Sequence, residues 1–246
     1  MQARPIAGHE RPGPGVLTDV STTVQARLIN TRVPADPEGV VLLLHGGASR
    51  RGGMRVSPTQ LSVLRMVPIA TRIAQAARGR LAVFRLLNSV RGWDTSHTPV
   101  DDVAWGMEQI RARFGRPVPT SLVGHSLGGR AALLAAQQPE VTSVVALNPW
   151  VYVTDGHTAL HDRKIIIVHG TEDRIAKAAS SAEVARGLSR SADVGYVSVA
   201  GGKHAMLRRH HVFDRLATDF VRSTLLGDTV DGAVGRVLAG ERWVEL

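Results

Sequence analysis

Short apolar runs bounded by turn residues recur along the chain, and between them lie longer stretches with helical spacing. Val40 to Leu44 is an unbroken apolar run, the pattern of a strand buried on both faces of a parallel sheet covered by helices. Leu81 to Leu87, Thr120 to Val123, Ser143 to Leu147, Lys164 to His169 and Asp193 to Val199 read the same way. Val16 to Val33 alternates instead, with Val24, Ala26 and Leu28 set against Gln25 and Arg27, and predicts a strand at the start of the sheet.

Helices fill the intervals. Ser57-Pro58-Thr59-Gln60 predicts a helix start, with Ser57 as N-cap, and the helix extends to about Ala77 with Pro68 kinking it or ending a first segment. Thr98 to Phe114, Leu127 to Ala136, a capping box at Ser180 to Glu183 leading to Leu188, and Met206 to Thr224 supply the others. Strands alternating with helices of ten residues or more imply an α/β class with a mostly parallel central sheet and helices on both faces. Pro5, Pro12, Gly13, Pro14 and Gly15 mark residues 1–15 as a flexible leader, 16–227 form the α/β domain, and 228–246 form a C-terminal extension. In that extension Val230, Val234, Val237 and Leu238 share one helical face, which packs on the body or on a second subunit, so a homodimer is compatible with the sequence.

Composition narrows the function classes more than it changes the fold. With 246 residues, 43% of them hydrophobic, the chain can bury one large core. No apolar run approaches the roughly 20 residues of a membrane span, and no secretory signal is evident, so a cytoplasmic protein is the expectation. The absence of cysteine excludes disulfides and thiol nucleophiles. The net charge of +9 invites a nucleic-acid reading, but the arginines are scattered and no nucleic-acid-binding module is present, so no nucleic-acid partner is expected. The 10 histidines show no metal-ligand spacing; neither a metal nor a cofactor is expected.

Ligands of parallel α/β sheets bind beyond the carboxyl ends of strands, so the residues after each run deserve attention. After Val40–Leu44 comes His45-Gly46-Gly47. After Thr120–Val123 comes Gly124-His125-Ser126-Leu127-Gly128, a G-x-S-x-G turn whose glycines let a strand and a helix approach while the serine sits exposed at the corner. After Leu147 comes Asn148-Pro149-Trp150, after Lys164–His169 comes Gly170-Thr171-Glu172-Asp173, and after the last run comes Gly202-Lys203-His204.

Taken in this order the motifs resemble the α/β-hydrolase superfamily over roughly residues 17–225, in the manner of dienelactone-hydrolase-like proteins and small carboxylesterases or thioesterases. The resemblance implies an α/β-hydrolase fold and a triad in which Ser126 is the nucleophile, His204 the general base and Asp173 its orienting acid, with Glu172 the replacement acid. It also implies an oxyanion hole from the backbone N–H groups of Leu127 and Gly47, with Ala48 the alternative to Gly47. The implied activity is cleavage of a small carboxylic ester or thioester through an acyl-enzyme. A lyase, cyclase or acyltransferase using the same pocket, and a binding protein without activity, are the alternatives.

Only about 16 residues separate Leu147 from Lys164, too few for a large cap domain, so an open cleft is expected. Trp150, Tyr152 and Trp93 are candidates for its wall. Arg50, Arg51 and Arg55 follow the first glycine loop and are candidates for gripping a substrate anion. His45, His125 and His169 end strands and are expected to brace loops.

Overall fold

A computed structural model of the chain describes residues 25–47, 55–93 and 98–246. Its centre is an eight-stranded sheet in the order β1-β3-β2-β4-β5-β6-β7-β8. The strands are β1 (Arg27–Arg32), β2 (Gly39–Leu44), β3 (Leu81–Leu87), β4 (Thr120–His125), β5 (Val141–Leu147), β6 (Lys164–Gly170), β7 (Asp193–Val199) and β8 (Trp243–Glu245). Only β1 runs antiparallel, pairing with β3 at one edge; every other pairing is parallel.

Six apolar or small residues in a row make β2 buried along its whole length, and alternate residues feed two separate cores. Val40, Leu42 and Leu44 pack with α3 (Thr98–Phe114), α4 (Leu127–Ala135) and α5 (Ala178–Leu188) on one face. Val41 and Leu43 pack with α2 (Met66–Ala76), α6 (His210–Leu226) and α7 (Gly232–Leu238) on the other. The sheet is thus sandwiched between two helical layers, as its continuous apolar runs require.

From β2 the chain crosses to β3 on one side, and from β3 through α3 to β4 on the other, so the connections diverge between β2 and β4. That divergence opens a crevice at the carboxyl ends of these two strands. The link between β5 and β6, residues 148–163, contains a single 3-10 turn (Val153–His157) and no cap domain.

α5 begins at Ala178, ahead of the capping box expected at Ser180, and α6 begins at His210, past the expected Met206; two further elements differ more. The helix expected from Ser57 begins at Leu61; the Ser57 hydroxyl instead accepts from the Thr59 N–H within a turn, 3.3 Å away. A four-residue α1 (Leu61–Leu64) then breaks at Arg65 before α2. Pro68 has no N–H to offer the Leu64 carbonyl, which places the break one turn ahead of the proline. The second difference is β8, a short strand with no apolar alternation to announce it, which pairs with β7 from Tyr196↔Trp243 to Ser198↔Glu245. With α7 burying Val234 and Val237, residues 228–246 pack on the body of the same chain. Among the described residues no helix is long and apolar enough to cross a membrane.

Candidate active site

Ser126 sits between β4 and α4 with φ 55° and ψ −121°, a conformation that L residues with side chains rarely adopt. The close approach around it requires glycine. A Cβ on Gly124 would lie 2.1 Å from the Gly128 carbonyl oxygen, and one on Gly128 would lie 2.3 Å from that of Leu44. The strained corner is held from outside: its N–H donates to the Leu147 carbonyl, and its own carbonyl accepts from Arg130 and Trp150 N–H.

The Ser126 Oγ is 2.9 Å from Nε2 of His204, and Nδ1 of His204 is 2.8 Å from Oδ2 of Asp173. Because a carboxylate only accepts, the His204 hydrogen sits on Nδ1, leaving Nε2 free to accept the serine proton. Asp173 has no exposed side-chain surface. Burial by itself would raise its carboxyl; hydrogen bonds from His169, His204 and the Ala176 and Ile175 N–H groups outweigh that and hold it well below the ordinary carboxylate range. Glu172, the neighbouring acid, is half exposed and faces Lys203 at 3.7 Å.

Three residues around this chain of hydrogen bonds hold it in place. Nε2 of His169 is 3.3 Å from Asp173 Oδ2 and 3.2 Å from the Ala176 carbonyl, two acceptors, so it carries hydrogen and braces the acid. His125 donates from Nε2 to the His204 carbonyl at 2.8 Å. Burial first and the adjacent His204 second push His125 down to about 3, so it stays neutral. Asn148, with φ 42°, donates to the carbonyls of Lys203 and His204 and accepts from the Gly170 N–H, tying the ends of β5 and β6 to the histidine loop. Its position after a strand was the only sequence signal for that role.

Leu127 is the first residue of α4, so its N–H has no helical acceptor. Gly46 and Gly47 face it across the crevice and line the same cavity. Gly47 leaves no room for a side chain, since a Cβ there would meet the Arg91 carbonyl oxygen at 2.0 Å. Ala48 lies outside the described residues. His45 holds this loop from below: its Nε2 accepts from the Asn88 N–H and its Nδ1 donates to the Gly46 carbonyl. Burial lowers the His45 pKa.

A cavity of about 660 Å3 opens over Ser126, and Trp150 is the one of the three candidate aromatic residues that lines it. Trp93 and Tyr152 instead each present a ring to the Arg130 guanidinium, its carbon 4.4 and 4.6 Å from their ring centroids, while Arg130 makes a two-pronged ion pair with buried Asp155. Arg50 and Arg51 lie outside the described residues, and Arg55 forms an isolated bridge with Val90. The cavity wall also includes Leu61, Leu64, Arg65, Ile175 and Leu207, which local sequence pattern did not flag because they come from segments far apart in the chain. Among the described residues no group of three or more His, Asp or Glu side chains could hold a metal ion.

Residues 85–160 match a family model described as the alpha/beta hydrolase fold. No curated protein matches the chain in sequence. Among solved structures, a putative alpha/beta hydrolase of unknown function from Agrobacterium tumefaciens superposes with a TM-score of 0.64 at 15% identity, covering 84% of this chain and 94% of that one. Est1E from Butyrivibrio proteoclasticus, with ferulic acid bound, gives 0.61 at 12% identity, covering 82% and 96%. A serine hydrolase without a lid from Xanthomonas campestris gives 0.57 at 17% identity, covering 80% and 94%.

Proposed function

We propose that the chain, which has the α/β-hydrolase fold, is a serine hydrolase that cleaves a carboxylic ester or thioester through an acyl-enzyme. The observation that carries this reading is the continuous chain of contacts from Ser126 through His204 to Asp173, 2.9 and 2.8 Å long, at the floor of an open cavity. In the reading, Ser126 Oγ attacks the substrate carbonyl as His204 Nε2 takes its proton. The carbonyl oxygen gains negative charge and is met by the N–H groups of Leu127 and Gly47, each donor contributing about 3 kcal/mol to the transition state. Collapse expels the alcohol or thiol, which takes the proton from His204. Water, deprotonated by His204, then attacks the acyl-enzyme and releases the acid and free Ser126.

Each supporting residue has a part. Asp173 fixes the His204 tautomer and stabilises the imidazolium that forms. Neutral His125 and Asn148 hold the His204 backbone without adding a competing charge. The carboxylic acid bound in the Est1E structure and the absence of a lid in the Xanthomonas hydrolase, both on the same fold, favour an acyl substrate and an uncapped cleft.

A fluorophosphonate probe tests the reading directly. It labels wild type and fails to label Ser126→Ala, and p-nitrophenyl acetate and acetyl thioester are turned over only by the labelled protein. A folded wild type that neither labels nor hydrolyses either substrate overturns the reading.

A further inference from the structure

Resting on that reading, we propose that the cavity takes an ester or thioester carrying an uncharged, medium-length aliphatic chain, which runs from Ser126 over α1 to a rim formed by Leu61, Leu64, Ile175 and Leu207. Globular proteins rarely gather exposed aliphatic side chains without a ligand to cover them. Here Leu61 is 84% exposed, Leu64 45%, Ile175 66% and Leu207 70%, and all four line this one cavity. They come from three separate segments: α1, the loop after β6, and the loop after His204. No single amphipathic helix accounts for the patch, because its members share only the cavity mouth.

The remaining wall gives little hold to a charged or aryl group. Among the described lining residues Arg65 is the only Lys or Arg, its side chain is 8% exposed, and its guanidinium is committed to Asp214 at 3.2 Å and to the Ala205 carbonyl at 3.1 Å. A substrate carboxylate there would have to displace a buried ion pair, which costs more than it returns. Among the described lining residues Trp150 is the only aromatic one other than the histidines, since Trp93 and Tyr152 are taken up by Arg130. The volume, about 660 Å3, falls in the range of pockets that enclose a ligand of this size.

Two substrate series test the proposal: p-nitrophenyl esters from acetate to dodecanoate, and acetates of alcohols of the same lengths. Each methylene that enters the apolar cavity should raise kcat/KM about fourfold, so with about four of the six added methylenes inside, at least one series should climb about two hundredfold or more between two and eight carbons. The doubly substituted Leu61→Asn/Leu207→Asn protein, changed only at exposed positions, should lower the eight-to-two-carbon ratio of kcat/KM in the climbing series about tenfold. An octanoyl chain ended in a carboxylate should lose most of the gain. Flat or falling profiles in both series, an unchanged ratio in the double variant, or a preference for the carboxylate-ended chain overturns the proposal. Acetate turnover that needs Ser126 but shows no chain-length slope defeats this inference alone, whereas no turnover of any ester and no labelling of Ser126 defeats the serine-hydrolase reading beneath it.

Discussion

The polar corner beneath Ser126 and the apolar mouth above it are built in opposite ways. In the corner, Asp173 receives four hydrogen-bonding contacts, His204 is held through its ring and its carbonyl, and the acid's side chain is wholly buried. At the mouth, aliphatic side chains stand in solvent and hold no hydrogen bonds. Moving a group in the corner strands buried polar atoms, each costing about 1–3 kcal/mol; exchanging one at the mouth leaves the fold nearly indifferent. On the serine-hydrolase reading, reaction type resides in the part that resists change, and substrate range in the part that tolerates it.

The largest expected effect breaks the corner. Asp173→Asn should lower kcat about 10,000-fold by favouring the wrong His204 tautomer, while Glu172→Gln should change it less than twofold. Kinetics on p-nitrophenyl butyrate decide the matter, and the reverse pattern would assign the acid to Glu172.

Acid should expose the same corner through stability. His125 is pushed to about 3 in the fold, against about 6.5 for an unfolded histidine. Between those values the unfolded chain binds a proton that the folded chain refuses, so stability rises with pH and is lost as pH falls below about 6.5. His45, also lowered by burial, acts in the same direction. His125 alone should cost about 2 kcal/mol between pH 7 and pH 5. Asp173, held low, adds to the loss only below about pH 4, as its folded pKa is approached. Urea titrations at pH 7, 6 and 5 measure this, and His125→Asn should flatten the slope. Equal midpoints across the range would show that His125 is protonated without penalty.

A smaller effect should follow loss of the strap between the two loops. Asn148→Ala removes three hydrogen bonds and should reduce kcat about 10- to 100-fold with KM nearly unchanged, since it positions His204 and touches no substrate. A change confined to KM would place Asn148 in substrate binding instead.

The smallest effect belongs to the mouth. Ile175→Asn should leave the unfolding free energy within about 0.5 kcal/mol of wild type and lower the octanoyl-to-acetyl selectivity a few-fold. A stability loss of several kcal/mol would show that the rim is structural.

Much of this was legible before any coordinates. Continuous apolar runs such as Val40–Leu44 announce strands buried on both sides, and their ends point to the loops that carry Ser126, Asp173 and His204. Helix starts were less legible: Ser57 has every feature of an N-cap, yet its hydroxyl serves a turn and the helix begins at Leu61. Edge strand β8 gave no signal because three residues at a sheet edge need no alternation to pair. Trp93 and Tyr152 were candidates for a substrate wall by residue type, and the structure sets both against Arg130, because an aromatic face binds a cation as readily as it binds a ligand.

The sequence by itself determined the α/β class, the strand order's raw material and the order of the chemical motifs, because burial and backbone constraint act locally on residue types. The tertiary structure alone decided that His125 braces His204, that Arg65 is spent on Asp214, and that Leu61, Ile175 and Leu207 meet at one mouth. Those are pairings between segments tens to more than a hundred residues apart, and only the closed sheet brings them within reach of each other.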